Sequence, residues 1–220
     1  MNTNEIILKT NNFVTQLNVC ENALQNHEMI AIIGEPGYGK TTALDSFTSM
    51  HRDCVIYDRA QKSITAKLFY SSIYNKFSGE SFNPSYSIYY YIRKVANRFN
   101  ENSLNKLLII DEAGKFSPGM LEYIHELRDL TNETTGIILA GPEYFEEHIV
   151  KWKEQKITGI PEVYSRISSW VRLMPPTNNE KIELVRAHGI HDKDFEKFIK
   201  SSPDFRDVKN KIKNYLKNKA

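Results

Sequence analysis

Apolar residues along the chain occur in two arrangements, as short continuous runs and as residues three or four positions apart. The runs lie at 29–33, 54–57, 107–110, 136–140 and 170–174; their length and their lack of alternation predict strands buried on both faces. Between them the spacing predicts helices. Phe13, Leu17 and Leu24 put one helix ahead of the first strand. Two more are expected near 64–77 and 86–99, the latter with Ile88, Ile92, Val95 and Phe99 on one face. Ser117-Pro118 starts another with a hydroxyl cap and a proline in the first turn, and Leu121, Ile124 and Leu127 mark its buried side. A helix near 143–153 leads through Gly159-Ile160-Pro161 to Arg166 and the last strand. Five strands alternating with helices imply an α/β fold with a parallel sheet covered on both faces.

Pro175-Pro176 breaks this pattern and marks a hinge. Behind it, Thr177-Asn178-Asn179-Glu180 matches a capping box, for a helix that holds Ile182 and Val185 and ends at Gly189. A short helix with Phe195, Phe198 and Ile199 follows, and Ser202-Pro203 starts a third with Phe205, Val208, Ile212 and Leu216 on one stripe. The expected division is an α/β core over residues 1–174 and a small helical lid over 175–220.

Chemistry enters where the first strand ends, at Gly34-Glu35-Pro36-Gly37-Tyr38-Gly39-Lys40-Thr41-Thr42. Gly34, Gly37 and Gly39 let the backbone turn its N–H groups inward, so that a loop of amides becomes an anion cradle. Lys40 would reach the β- and γ-phosphates of a nucleoside triphosphate, Thr41 would place its hydroxyl on Mg²⁺, and the helix opening near Lys40 adds its positive dipole end. The second element is Leu107-Leu108-Ile109-Ile110-Asp111-Glu112, a buried run ending in two carboxylates. Asp111 would hold Mg²⁺ through water, and Glu112 would polarise the water that attacks the γ-phosphate.

Composition narrows the setting. At 220 residues and 40% hydrophobic the chain can bury one sizeable core. Its net charge of +2 comes from 29 basic and 27 acidic residues, too balanced by itself to identify a nucleic-acid partner. Cys20 and Cys54 form neither a metal-ligand spacing nor a disulfide framework and are expected as reduced thiols of a cytoplasmic protein. Met1-Asn2-Thr3-Asn4-Glu5 lacks a basic n-region, and no apolar stretch approaches a bilayer span, so no membrane partner is expected. His125, His148, His188 and His191 lack metal-ligand spacing and are expected to be structural or exposed.

A five-stranded α/β core with a phosphate loop, an acidic third strand, a proline hinge and a helical lid resembles the AAA+ ATPases over nearly the whole chain. Glu162-Val163-Tyr164-Ser165-Arg166-Ile167 is similar to the Ser-Arg segment that origin-recognition and DNA-transposition ATPases carry before the last core strand. By that resemblance Arg166 is an arginine finger for a neighbouring subunit's site; its alternative is an ordinary surface arginine. Arg206 stands where the family's lid arginine meets the nucleotide, with a solvated lid residue as the alternative. The chain departs from the family at Ala140-Gly141-Pro142-Glu143, where a polar residue commonly orients the attacking water. Proline has no such group, so hydrolysis is expected to be slow or the role to pass to Thr134, Thr135 or Glu143.

Within the family, Gly136 to Glu143, the Ser-Arg segment and the threonine-capped lid look most like the MuB/TnsC group of transposition regulators. That resemblance implies ATP and Mg²⁺ as cofactors, assembly as a ring or helical filament on duplex DNA with shared sites, and a transposase as partner. The alternative is a helicase loader or protein-remodelling ATPase acting mainly on a protein. Residues 1–28 are too few for a separate amino-terminal helix-turn-helix domain. DNA contacts are therefore expected from the core, with Arg59, Lys62, Lys67, Lys76, Arg93, Lys94 and Arg98 as candidates and a solvated helix face as the competing reading. Tyr86, Tyr89, Tyr90 and Tyr91 are read as packing residues, with stacking on bases as the alternative. Lysines 209, 211, 213, 217 and 219 either attract DNA or an acidic partner surface or serve the last helix, the latter being the default.

Overall fold

The computed structural model describes residues 6–101 and 105–219, so that Met1 to Glu5, read above for targeting signals, lie outside the described residues. Among these, five strands form one sheet: β1 (Met29–Ile33), β2 (Val55–Arg59), β3 (Lys106–Asp111), β4 (Thr135–Gly141) and β5 (Ile167–Arg172). All neighbours run parallel, in the order β2-β3-β4-β1-β5. The chain leaves β1 and passes over β4 and β3 to form β2 at the edge, so the loop after β1 opens where the strand order reverses. In an open α/β sheet a ligand binds at such a point, outside the carboxyl ends of the strands.

The pleat divides the apolar side chains between two faces. Ile30, Ile32, Leu107, Ile109, Ile138 and Ala140 pack under α1 (Asn11–Asn26) and α2 (Lys40–Met50), against Cys20, Leu24, Leu44 and Phe47. Met29, Ala31, Ile33, Leu108, Ile110, Ile137 and Leu139 face the other way. They are covered by α3 (Ala66–Ser78), α4 (Ile88–Asn100), α5 (Pro118–Leu130), α6 (Glu143–Glu154) and α7 (Ile160–Arg166). Strands buried on both sides need no polar alternation, which is why they appear in the sequence as continuous runs. Beyond Leu173, α8 (Asn178–Ala187), α9 (Lys193–Ile199) and α10 (Phe205–Lys219) pack around Leu184, Val185, Ile190, Ile199, Val208 and Ile212. Both halves of the expected capping box at Thr177 and Glu180 are present.

The structure corrects several local expectations. The last strand begins at Ile167 rather than Trp170, because Ser168 and Ser169 are exposed edge positions and add no apolar signal; the register slips there between Met29 and Ile30. The segment before it is a helix, α7, entered from Gly159 in the left-handed region at φ 79° with Pro161 in its first turn. α10 starts at Phe205 rather than at Pro203, because the Asp204 carboxylate accepts the Asp207 N–H at 2.9 Å and caps the helix there. On α1 the fully buried positions are Gln16, Cys20, Ala23 and Leu24, with Phe13 only half-buried on the same face, and Leu216 on α10 is exposed. Of the two thiols, Cys20 is buried and Cys54 half-buried, and burial pushes the Cys20 thiol up to about 12.

α1 lies so close on β4 that Gly136 has no room for a side chain: a β-carbon there would stand 2.0 Å from the Ala23 carbonyl oxygen. That oxygen is backbone in a packed helix and yields only if α1 lifts. Gly136→Ala is therefore expected to destabilise the fold by about 2–3 kcal/mol, read as a lower urea midpoint with an unchanged m-value; a stability within ~0.5 kcal/mol of the parent would contradict the close packing.

Candidate functional site

The site is built at the carboxyl ends of β1, β3 and β4. Gly34 N–H donates to Gly141 O at 3.1 Å, tying the loop after β1 to the end of β4. Gly37 and Gly39 both take φ +89°, and a side chain at Gly37 would also run into the Asp204 carboxyl, so the loop needs glycine there on two grounds. Lys40 is the first residue of α2 and folds its ammonium back onto the Gly34 and Glu35 carbonyls. Burial lowers its pKa, opposed by the charges of Asp111, Glu112 and Glu35. Tyr38 and Thr42 complete the loop, the tyrosine partly buried against the α1–α2 side of the core.

Asp111, at the end of β3, has its side chain 1% exposed. Its Oδ2 accepts the Thr41 hydroxyl at 2.7 Å and the Tyr57 hydroxyl at 2.9 Å, and Arg59 Nη2 stands 3.3 Å away. Its Oδ1 accepts the Glu112 N–H at 2.8 Å. Burial, followed by the Asp111 charge and hydrogen bond, raises the Tyr57 pKa, so Tyr57 stays a donor to that carboxylate. Glu112 sits in the left-handed region at φ 60°, a backbone cost a non-glycine residue bears here while its side chain lines the cleft. Its carboxylate is 3.7 Å from the Lys115 ammonium.

A cleft of about 390 Å³ joins these groups to the lid. Lys40, Thr41 and Glu112 line it from the core, and Phe205, Arg206, Lys209 and Asn210 from α10. The lid is docked on the loop itself, for Phe205 N–H donates to Gly37 O at 3.2 Å. Beside the cleft, and sharing Gly39, Thr42, Phe205 and Lys209 with it, is an apolar slot formed by Ile6, Ile7, Leu8, Phe13 and Leu184. A cationic cradle opening into an apolar slot suits a ligand with phosphates at one end and a flat ring at the other. Thr41 and Asp111 supply hard oxygens, a donor set that fits Mg²⁺. Sequence reasoning missed the slot, Lys209, Asn210, Tyr57 and Tyr144, the last of which lines the cleft beside Pro142; Lys209 was visible as a charge on the last helix, one helical turn from Arg206.

Arg206 and the loop residues thus meet in one place; Arg166 does not join them. It ends α7 at the amino end of β5, with Nε 2.8 Å from Asp129 Oδ1 in the last turn of α5. The cleft lies at the other end of the sheet, a strand length or about 20 Å away. Thr134 and Thr135 also lie at the amino end of their strand, Thr135 opposite Lys106, which removes both as substitutes for a water-orienting residue. Pro142 lines the cleft and Glu143 follows it as the first residue of α6.

The basic candidates for DNA separate into two groups. Arg59 is half exposed and turns its guanidinium toward Thr41 and Asp111, its Nη2 also 3.1 Å from Thr41 Oγ1. Lys62 is exposed on the loop after β2. Lys76 pairs with Asp58 at 2.9 Å and Arg98 with Glu101 at 2.5 Å, so each has an acid beside it. Lys67, Arg93 and Lys94 lie against the Phe82, Tyr89 and Tyr90 rings. Tyr91 is buried and Tyr86 packs on Tyr90 with centroids 4.1 Å apart, whereas Tyr89 is 62% exposed. In the tail, Lys211 pairs with Asp207 and Lys219 with Asp192.

A parallel α/β core with a glycine-rich phosphate loop, a buried acid on the third strand and a helical lid over the cleft defines a nucleotide-binding class of the P-loop type. A family model described as AAA domain matches residues 23–149, more than half of the chain, and this chain belongs to that family. Among solved structures, Cdc6p from Pyrobaculum aerophilum superposes with a TM-score of 0.63 at 14% identity, covering 84% of this chain and 51% of that one. The Aeropyrum pernix ORC1 protein in complex with DNA gives 0.64 at 15%, covering 90% and 56%. The Walker-type ATPase paby2304 of Pyrococcus abyssi gives 0.65 at 18%, covering 94% and 67%. At such identities the likeness is one of fold, and the chain spans about half the length of Cdc6p and ORC1. Among curated proteins none matches in sequence. No helix among the described residues is long and apolar enough to cross a membrane.

The hydrogen bond from Arg166, then the charges of His125 and Arg166, hold the Asp129 carboxyl below its ordinary value against the opposing effect of desolvation. A carboxylate depressed in the folded state contributes stability above its unfolded pKa and loses it as pH falls through the folded pKa. Arg166→Ala is expected to move the Asp129 titration, followed by NMR, upward toward 3.8; an unmoved titration would show the pair to be loose in solution.

Proposed function

We propose that this chain is an ATP- and Mg²⁺-dependent AAA+ ATPase whose subunits share their sites and assemble on duplex DNA. The observation that carries the reading is the convergence of Lys40, Thr41, Glu112 and Arg206 on one cleft, with Asp111 bonded behind Thr41, while Arg166 stands a strand length away from it. In this reading the loop amides and Lys40 bind the β- and γ-phosphates, and Arg206 and Lys209 close on them from the lid over residues 175–220, hinged at Pro175-Pro176. The slot at Ile7, Phe13 and Leu184 takes the adenine. Thr41 and Asp111 hold Mg²⁺, which would shield the phosphate charge. Glu112 takes the proton of the attacking water, and Arg166 completes the site of the adjacent subunit. Pro142 gives that water no polar side chain, so turnover is slow until a partner supplies order.

DNA as the template rests on the basic residues of α3 and α4, on Lys62, and on the likeness in fold to a protein solved in complex with DNA. Selection of a DNA target for a transposase is the finer reading, resting on the Ser-Arg segment and the phrase Gly136 to Glu143. Its test is electron microscopy of the purified chain with ATP and long duplex DNA across a salt series. Ring or filament assembly that needs both ATP and DNA, and that is lost in Lys40→Ala, is the expected result. Assembly with ATP and a captured helicase but without DNA would replace the DNA reading with a loader.

Glu112→Gln is expected to keep ATP binding and lower hydrolysis by about 10²–10⁴-fold, leaving assemblies that persist; unchanged steady-state hydrolysis would remove Glu112 from the base role. Mixing Arg166→Ala with Glu112→Gln subunits is expected to recover part of the turnover, because intact sites form at mixed interfaces. A strictly additive loss would argue against action between subunits.

A further inference from the structure

Arg59 ends the edge strand β2 with its side chain 49% exposed, yet it turns its guanidinium across the carboxyl end of the sheet. Nη2 stands 3.1 Å from Thr41 Oγ1 and 3.3 Å from Asp111 Oδ2. Thr41 gives its own hydroxyl proton to the same Asp111 oxygen at 2.7 Å, so a lone pair of Oγ1 is what Arg59 meets. Tyr57 and the Glu112 N–H hold the carboxylate from other directions at 2.9 and 2.8 Å. The geometry of Thr41 and Asp111 is therefore fixed whether or not Arg59 remains. One cationic nitrogen of Arg59 thus meets both oxygens of the pair.

We propose that Arg59 is a built-in competitor of the divalent cation: it contacts the Thr41–Asp111 oxygen pair and leaves it when Mg²⁺ arrives with nucleotide. The inference rests on the nucleotide-site reading above and adds a residue to it. Two cations on one pair of oxygens repel, so one must go. Arg59 has a route out, because β2 is an edge strand and half of the side chain already faces solvent. Thr41 changes the partner of a lone pair and keeps its proton on Asp111 throughout. Asp111 is never left as an unpaired buried charge, in the empty state or the loaded one. A planar guanidinium suits this place better than an ammonium would, since its fixed N–H directions meet two oxygens at once. The arrangement blunts the demand for metal: Arg59 partly neutralises the site when Mg²⁺ is scarce and competes with it when Mg²⁺ is plentiful.

The test is a Mg²⁺ titration of the full chain with mant-ADP, read by fluorescence, beside affinities measured in EDTA. In Arg59→Gln the half-saturating Mg²⁺ concentration is expected to fall by roughly three- to fivefold, while the metal-free affinity falls below that of the parent. Arg59→Lys, read separately in case the glutamine variant unfolds, is expected to show a smaller fall of the same sign. A midpoint unchanged or raised in the folded variants overturns the role of Arg59, while loss of binding in Lys40→Ala in the same series leaves the nucleotide site standing. A parent chain that does not bind mant-ADP, or a Lys40→Ala variant that binds it equally well, overturns the nucleotide reading and this inference with it.

Discussion

A carboxylate closed off from solvent at the end of an interior strand is the constraint around which this molecule is arranged. Asp111 is held between β2 and β4, and an ion there costs several kcal/mol unless it is paired and hydrogen-bonded. Its partners come from three elements: Thr41 from α2, Tyr57 and Arg59 from β2, and the Glu112 amide from the turn after β3. Each partner fixes one part of the site. The bond to Thr41 sets α2, and with it the phosphate loop, against the acid strand. The bond to Glu112 N–H accompanies the left-handed backbone that turns the Glu112 side chain to the cleft. The edge strand completes the carboxylate's neighbours, so β2 is part of the site and not merely the end of the sheet.

A second set of contacts joins the core to the lid by way of α1. Asn12 at the start of α1 is bonded in both directions to Met174, its Nδ2 donating to the carbonyl at 2.7 Å and its Oδ1 accepting the N–H at 3.1 Å. The neighbouring Asn11 N–H donates to Glu180 in the first turn of α8 at 2.9 Å. The segment at Met174, just ahead of Pro175-Pro176, is thus clasped to α1 at one side, while α10 touches Gly37 at the other. Between these two contacts the apolar slot and the cleft meet. A ligand bridging them touches the core, the segment before α1 and the lid at once, so its binding energy couples all three.

What was legible in the sequence is what is local. The loop from Gly34 to Thr42 and the run ending at Asp111-Glu112 each carry their chemistry within a few residues, and buried parallel strands leave continuous apolar runs. The elements that escaped reading are those decided at a distance. Ser168 and Ser169 belong to β5 only because β1 offers them a neighbour. The slot draws on residues 6–8, 13, 184 and 205, which no window contains together. Arg59 reads as one more basic residue near a helix until β2 pairs with β3, which sets Arg59 opposite Asp111. Thr134 and Thr135 looked like spare polar groups near the fourth strand, yet strand direction puts them at the wrong end. Spacing gives a residue's position along a strand; topology gives the end at which its chemistry is spent.

The same rule of direction bears on Arg166. All strands run one way, so every group at a carboxyl end faces the cleft and every group at an amino end faces away from it. Arg166 precedes β5 and rests on Asp129 at the close of α5, which runs back from the cleft side to the start of β4. No rotation of a side chain spans a strand length of about 20 Å. A phosphate that Arg166 meets therefore belongs to another molecule, and Asp129 is the partner it must leave to do so. The ion pair is exposed on both sides, and such pairs are weak enough to exchange. The cleft has its cations, its acid and its slot within one chain, while the arginine at the far end is held only by an exposed ion pair.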